Sequence, residues 1–464
     1  VIQIDDAPSP EELIPAIEQM WGYSADKITS IEDHFDFTRG APVFTIEGKY
    51  ATRGWTDWTQ GFQYGSAVLQ FDATEDSTFL EIGRNETVAH MASHVTHIGV
   101  HDHGFNNVST YGNLLRLMHE ERIPESTWER NFYELAIKCS GAVQASRWTH
   151  LPDTGGYIYS FNGPHSLFSD TVRSLRVLVM AHQLGHKLMG ENDRKISLLN
   201  RTVGHLHSTS KYNVYFGEGR DYYDIPGRVV HESIFNLNDA QYRCPSTQQG
   251  YTPFSTWTRG LAWILLGYAE QLEYFSKLTD GAFKSATNGY GSLKDLLSLL
   301  KRTAQATADF YLEYTPTCGV PYWDTGAPGL HKLGDYLSRP ADPYNDFEPV
   351  DSSAAAISAQ GLIRLGRFMT QEGDLKGANY VKAGLKVLKT LLDEPYISKD
   401  PNHQGLLLHS VYHRPNGWDH IPSEHKVPCN ESCLWGDYHL RELALYVQRL
   451  ANDSPYYTYF LPFH

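Results

Sequence analysis

Apolar residues recur at three- and four-residue spacing through 171–185, 258–275, 292–314, 352–369, 374–392 and 438–451, and each of these segments predicts an α-helix. Between them run long polar, aromatic and glycine-rich stretches such as 216–250 and 319–350, and loops of that length in a compact fold usually carry function. Period-two alternation is weak, so 43–50 and 227–235 predict small hairpins rather than a sheet. Helices of roughly 12–20 residues alternating with loops predict paired helices closed into a ring, with polar loop ends making a cleft. No low-complexity linker interrupts the pattern and no fixed short repeat suggests an open solenoid. The expectation is one domain spanning 1–464, with 1–50 as an N-terminal extension.

Composition narrows the partners. A formal charge of -15 offers no basic face for nucleic acid, although a few cations focused in one cleft can still bind an acidic sugar. No apolar run reaches the length a membrane helix needs, so no membrane partner is expected. Aromatics make up 13% of the chain and are dispersed along it, which suits sugar stacking as well as core packing. Cys429 and Cys433 lie four apart, but no second Cys or His pair completes a zinc pattern, and no metal is expected. The odd number of cysteines, five, leaves at least one unpaired within the chain. A chain that opens on Val1 fits removal of an export signal or simple trimming, and favours a periplasmic or secreted location over a cytoplasmic one. Oligomeric state is not legible.

The candidate chemistry centres on Ser169-Asp170-Thr171-Val172-Arg173, where a carboxylate opens an apolar helix. A carboxylate there is ordinarily a helix cap. Other motifs weigh against that reading. In chain order they are Trp58-Thr59-Gln60-Gly61-Phe62, His101-Asp102-His103-Gly104-Phe105, Trp148, Asp170, the pair His205 and His207, and Arg228-Val229-Val230-His231. After these come Gln249-Gly250-Tyr251, the block from Trp257 through Arg259 to Trp263, and then Tyr322-Trp323-Asp324, Asp351-Ser352-Ser353 and Leu434-Trp435-Gly436-Asp437-Tyr438.

That order, from about Trp58 to Leu443, resembles glycoside hydrolase family 88, the unsaturated glucuronyl hydrolases. The resemblance implies an all-α fold, an (α/α)6 barrel with long loops and a few short strands, and no cofactor. It also implies exo action on oligosaccharides left by polysaccharide lyases, which end in a uronic acid with a double bond between carbons 4 and 5. The ring oxygen makes that bond an enol ether. Protonation of carbon 4 lets water add to carbon 5, and the hemiketal then opens and releases the next sugar, without the usual pair of carboxylates flanking the glycosidic oxygen.

Carried over by position, Asp170 matches the general acid/base and Asp102 its carboxylate partner. Such an acid needs its pKa raised by burial or by a like charge. His231 fits the place of a substrate-contacting His, with His205 and His207 as rivals. Gln249 matches the amide that bonds sugar hydroxyls. Trp257, Arg259 and Trp263 form the expected sugar platform, with Trp263 four residues beyond Arg259. Trp148 and Trp58 are further stacking candidates, each equally suited to packing. Asp324, Asp351 and Asp437 are expected to hold helix ends and loops.

Three positions depart from the pattern. Arg173, one turn after Asp170, would lower the pKa of that acid unless it points away or binds another carboxylate. Gln248 replaces a common His. In the loop Pro422-Ser423-Glu424-His425-Lys426, Lys426 and Ser423 alone remain of a Ser- and Lys-containing segment that contacts sulfate or the next sugar in glycosaminoglycan-active members. Alternative readings are an unsaturated rhamnogalacturonyl hydrolase of the same fold, a polysaccharide lyase using a Tyr or His base, and a non-catalytic sugar-binding protein.

Overall fold

Hairpins of helices, one long apolar helix paired with one amphipathic helix, account for most of the chain in the computed structural model, which describes residues 1–54 and 57–462. Twelve helical runs build the frame among the described residues. They are α1 (Pro10–His34), α2 (Gln60–Thr74), α3 (Ser77–His90), α4 (the run His103–Asn107, Val108–Gly112 and Asn113–His119), α5 (Thr127–Ser146) and α6 (Thr171–Ser174 and Arg176–Gln183). The second half supplies α7 (Leu198–Asn213), α8 (Thr258–Phe275), α9 (Leu293–Glu313), α10 (Ser352–Gln371), α11 (Gly377–Leu392) and α12 (Leu434–Ala451).

The even-numbered helices pack in a closed inner ring, α2 on α4, α4 on α6, α6 on α8, α8 on α10, α10 on α12 and α12 back on α2. The odd-numbered helices pack outside them, and α1 closes the outer layer by touching α12, α2 and α11. This is the (α/α)6 barrel. Burial follows from the two environments. In α8 every residue except Glu273 is buried, whereas outer α11 buries Tyr380, Ala383, Gly384, Val387, Leu388 and Leu391 at the three-and-four spacing of a one-faced helix. Five of the six predicted helices match to within a few residues at their ends; the sixth, 171–185, is broken at Leu175.

At its head α1 carries a reciprocal cap: Ser9 Oγ accepts the Glu12 N–H, and Glu12 accepts the Ser9 N–H at 2.7 Å. The strands are short: β1 (Phe44–Ile46), β2 (Lys49–Ala51), β3 (Trp148–Thr149), β4 (Tyr157–Ile158), β5 (Ser166–Phe168), β6 (Leu188–Met189), β7 (Lys195–Ile196), β8 (Glu232–Asn236) and β9 (Gln241–Ser246). The predicted hairpin at 43–50 appears as β1 and β2. The one predicted at 227–235 becomes part of a three-stranded antiparallel sheet in the order β5-β8-β9. That sheet lies beside the start of α6 and places His231 next to Asp170, since the Ser169 N–H donates to the His231 carbonyl at 2.8 Å.

Alternation of inner and outer helices makes the inner six run the same way, so their N-termini share one mouth of the barrel. Gly104, two residues after Asp102, holds α4 tightly against α6: its N–H donates to Ser174 Oγ at 2.7 Å, and a Cβ there would lie 2.1 Å from the Ser174 carbonyl oxygen. The spacing between the starts of α4 and α6 is thereby fixed.

Candidate active site

At that mouth a cavity of about 240 Å³ opens, and its wall includes Trp58 ahead of α2, Asp102 at the start of α4, Asp170 at the start of α6, and Trp257, Arg259 and Trp263 at the start of α8. Asp102 and Asp170 each occupy the N-cap position of an inner helix, and neither side chain bonds the helix it precedes. The other motif carboxylates behave differently. Asp351 accepts the Ser353 N–H, Asp324 those of Tyr251 and Gly326, and Asp437 those of Leu406 and Leu407 together with the Tyr50 hydroxyl. Of these five acids, the two in the cleft are the ones not committed to backbone.

Instead they share a histidine. His101 Nε2 lies 3.1 Å from Asp170 Oδ1 and 3.7 Å from Asp102 Oδ1, and all three side chains are largely buried. Burial alone would lower the pKa of His101, but the two carboxylates outweigh it and hold the imidazolium above its ordinary value. For Asp170 burial pushes upward, and the hydrogen bond and charge of His101, with Arg259 behind it, pull the carboxyl below the ordinary value. Asp102 goes the other way: its burial, reinforced by the charge of Asp170, exceeds the pull of His101. The raised carboxyl pKa expected at Asp170 thus falls on Asp102, because His101 donates to Asp170. His101 stands in the motif that the sequence singles out, yet its role follows only from the fold that brings α4 beside α6.

His231 is buried behind Asp170 and does not line the cavity. Its Nδ1 accepts the N–H groups of Gln248 (3.1 Å) and Gln249 (3.3 Å), so its proton resides on Nε2, which faces Asp170 Oδ2 at 3.9 Å. Burial pushes this ring down to about 4, keeping it neutral. The contact from Gln248 is made by backbone and is indifferent to the replacement of a His there. Of the rival histidines, His205 is buried and accepts the Ile158 N–H at 3.0 Å, while His207 stacks on Tyr290.

Arg259 is buried and donates to the carbonyls of Val411 (2.6 Å) and Tyr412 (2.7 Å) and to Gln249 Oε1 (2.6 Å), which leaves the Gln249 amide nitrogen as a donor at the cavity wall. Its guanidinium stacks on Trp257 at 4.6 Å and Trp435 at 4.8 Å rather than on Trp263, whose ring packs on Phe105. Trp58 stacks on Trp435 and donates to the Tyr412 hydroxyl at 3.2 Å.

Two expected contacts lie elsewhere. Trp148 is outside the cavity, under the guanidinium of Arg201 at 4.2 Å and beside Gly204. Lys426 is exposed and pairs with Asp346 at 2.6 Å. Aromatics that sequence reasoning did not single out complete the wall, notably Phe161, Phe168, Tyr412 and Trp418.

Arg173 points away from Asp170 into the barrel axis. Its guanidinium meets Glu270 of α8 at 2.8 Å, Glu442 of α12 at 2.5 Å and His439 Nε2 at 3.0 Å, all fully or nearly fully buried. Its charge is absorbed there, and the expected depression of Asp170 by Arg173 is replaced by one from His101. Among the described residues no group of three or more His, Cys, Asp or Glu is arranged to hold a metal ion, and no helix is long and apolar enough to cross a membrane.

No family model matches the chain. It is 25% identical over 397 residues to the unsaturated glucuronyl hydrolase of Formosa agariphila, covering 85% of this chain and 80% of that protein. The unsaturated glucuronyl hydrolase of Bacillus sp. strain GL1 is 25% identical over 450 residues, covering 94% of this chain and 96% of the other. The chain is a relative of the unsaturated glucuronyl hydrolases. Its fold agrees: the crystal structure of the Bacillus sp. GL1 enzyme, described as responsible for the degradation of glycosaminoglycan, superposes with a TM-score of 0.68 at 22% identity, covering 94% of this chain and 97% of that one.

Proposed function

We propose that this protein is an exo-acting glycoside hydrolase that removes a 4,5-unsaturated glucuronic acid from the non-reducing end of lyase-generated oligosaccharides. The observation that carries the reading is the pair of uncapped carboxylates, Asp102 and Asp170, bridged by His101 at the floor of an aromatic cleft. The relatives' names point to the same substrate class.

In this reading the uronate enters against Asp170 and brings a negative charge of its own. That charge disfavours ionisation of Asp170, so substrate binding supplies the raised pKa that the free cleft does not. Asp170 takes a proton, with His101 Nε2–H as its nearest donor, and delivers it to carbon 4. Positive charge develops on carbon 5 and the ring oxygen. A water adds to carbon 5 and returns a proton to a carboxylate, the hemiketal opens by breaking the bond between carbon 5 and the ring oxygen, and the hemiacetal so left at carbon 1 collapses to an aldehyde and releases the next sugar as an alcohol. Asp102 orients the sugar or that water, and Gln249, Trp257 and Trp263 hold the ring.

The test is incubation with unsaturated disaccharides while the ultraviolet absorbance of the conjugated uronate is followed. Loss of absorbance is expected. A rise in absorbance on intact polymer would mean a lyase, and binding without change would mean a sugar-binding protein.

A further inference from the structure

Depth orders the cavity. Asp102 and Asp170 are each 8% exposed at its floor, whereas Arg53 and Asn416 are exposed at its rim and Trp418 is half-buried beside them. An exo-acting enzyme puts the terminal uronate on the floor, so the next sugar occupies the rim.

The cations along the wall are not equivalent there. Arg259 is engaged by two carbonyls and Gln249 and faces the buried carboxylate of Asp351 at 3.5 Å. His413 is pushed down to about 4, chiefly by burial, and is neutral, with its Nδ1 accepting the Asn416 N–H at 3.3 Å. Lys426 is paired with Asp346 outside the cavity. Arg53 alone combines cavity position, exposure and a guanidinium without a carboxylate partner among the described residues. It is held over the face of Trp418 at 4.6 Å, and that ring packs in turn on His413 at 4.7 Å and Tyr412 at 5.4 Å. Stacking fixes the plane of the guanidinium and leaves its N–H edge as a fork suited to a planar or tetrahedral oxyanion.

We infer that Arg53, braced by Trp418, is the specificity-determining cation for the sugar next to the unsaturated uronate, selecting substrates in which that sugar carries an anionic group, sulfate or carboxylate. This rests on the hydrolase reading above. It assigns to the rim beside α2 the role that the loop carrying Lys426 does not fill.

The experiment compares three unsaturated disaccharides, with the second sugar neutral, sulfated or a uronate, on the parent, Arg53→Gln and Arg53→Lys. The expected result is a kcat/KM ratio of anionic to neutral substrate that falls about ten-fold in Arg53→Gln, as for loss of one charge-assisted contact, and is partly kept in Arg53→Lys. The sulfate and uronate arms tell which anion is favoured. A ratio that is unchanged in Arg53→Gln, or a parent that prefers the neutral sugar, overturns the inference. Calorimetric binding of the same disaccharides to Asp170→Asn and to Asp170→Asn/Arg53→Gln runs in parallel. Absence of turnover on every substrate would sink the hydrolase reading, while the ratio of affinities still decides for or against Arg53.

Discussion

His101 Nε2 donates to Asp170 Oδ1 across 3.1 Å and stands 3.7 Å from Asp102 Oδ1, so one imidazolium offsets the repulsion between two neighbouring carboxylates. The arrangement gives the free cleft an ionised Asp170 and an Asp102 with the raised pKa.

Removal of that cation has a signed pH signature. The folded pKa of Asp170 lies below its unfolded value, so its contribution to stability is complete above about pH 4 and fades as pH falls through the folded value. The folded pKa of His101 lies above its unfolded value, so its contribution is complete below about pH 6.5 and fades as pH rises through the folded value. The stability difference between the parent and His101→Gln, read by urea unfolding, is expected to be about 1–3 kcal/mol and greatest between those limits. A difference that does not vary with pH would count against the bridge.

Arg173→Met breaks a buried ion cluster shared by α6, α8 and α12 and is expected to destabilise the barrel by about 3–5 kcal/mol. Because the guanidinium faces Glu270 and Glu442 rather than the cleft, the acidic limb of the pH–rate profile should stay in place in the folded fraction. Movement of that limb would restore Arg173 to the site.

Trp148→Phe and Lys426→Ala alter groups outside the cavity. Their kcat/KM on unsaturated disaccharides should remain within about two-fold of the parent, in contrast to Trp257→Ala, where a cavity ring that also braces Arg259 is lost and a fall of at least about ten-fold is expected. Steady-state kinetics on the three variants decides, and a large rise in KM for Lys426→Ala would return that loop to the substrate.

The helices most legible in the chain were those with unbroken apolar runs or one clean stripe, such as α8 and α11. Inner helix α2 is buried from Gly61 to Asp72, yet Gln63, Ser66 and Gln70 interrupt its apolar pattern; Ser66 and Gln70 donate to the carbonyls of Phe62 and Trp21, contacts that no periodicity reveals. Helix α4 is harder still, because Val108–Gly112 is a π turn that breaks the 3.6-residue period. Outer helix α1 carries its signals openly, in the Ser9 and Glu12 cap and in Leu13, Ile17, Ile28 and Ile31. At the site, residues within one motif were readable. What depended on separate segments meeting was not: His101 between two helix starts, His231 turned behind Asp170 by β8, and Arg53 laid on Trp418.

Hydration and direct hydrolysis place solvent oxygen differently. In water enriched in heavy oxygen, addition at carbon 5 puts the label on carbon 5 of the uronate product, whereas direct hydrolysis puts it on carbon 1 of that same product, and the released sugar keeps its own oxygen in both cases. Fragment mass spectrometry of the uronate product, reduced at once so that its carbonyls do not exchange with water, is expected to show the label at carbon 5. Label at carbon 1 of the uronate product would mean direct attack at its anomeric carbon.

Protonation of the enol ether by Asp170 is read from the rate at which Asp170→Asn consumes ultraviolet absorbance of an unsaturated disaccharide it still binds. A loss of about 10²–10⁴-fold in kcat with affinity retained is expected. Asp170→Asn turning over at the parental rate would remove Asp170 from the proton transfer.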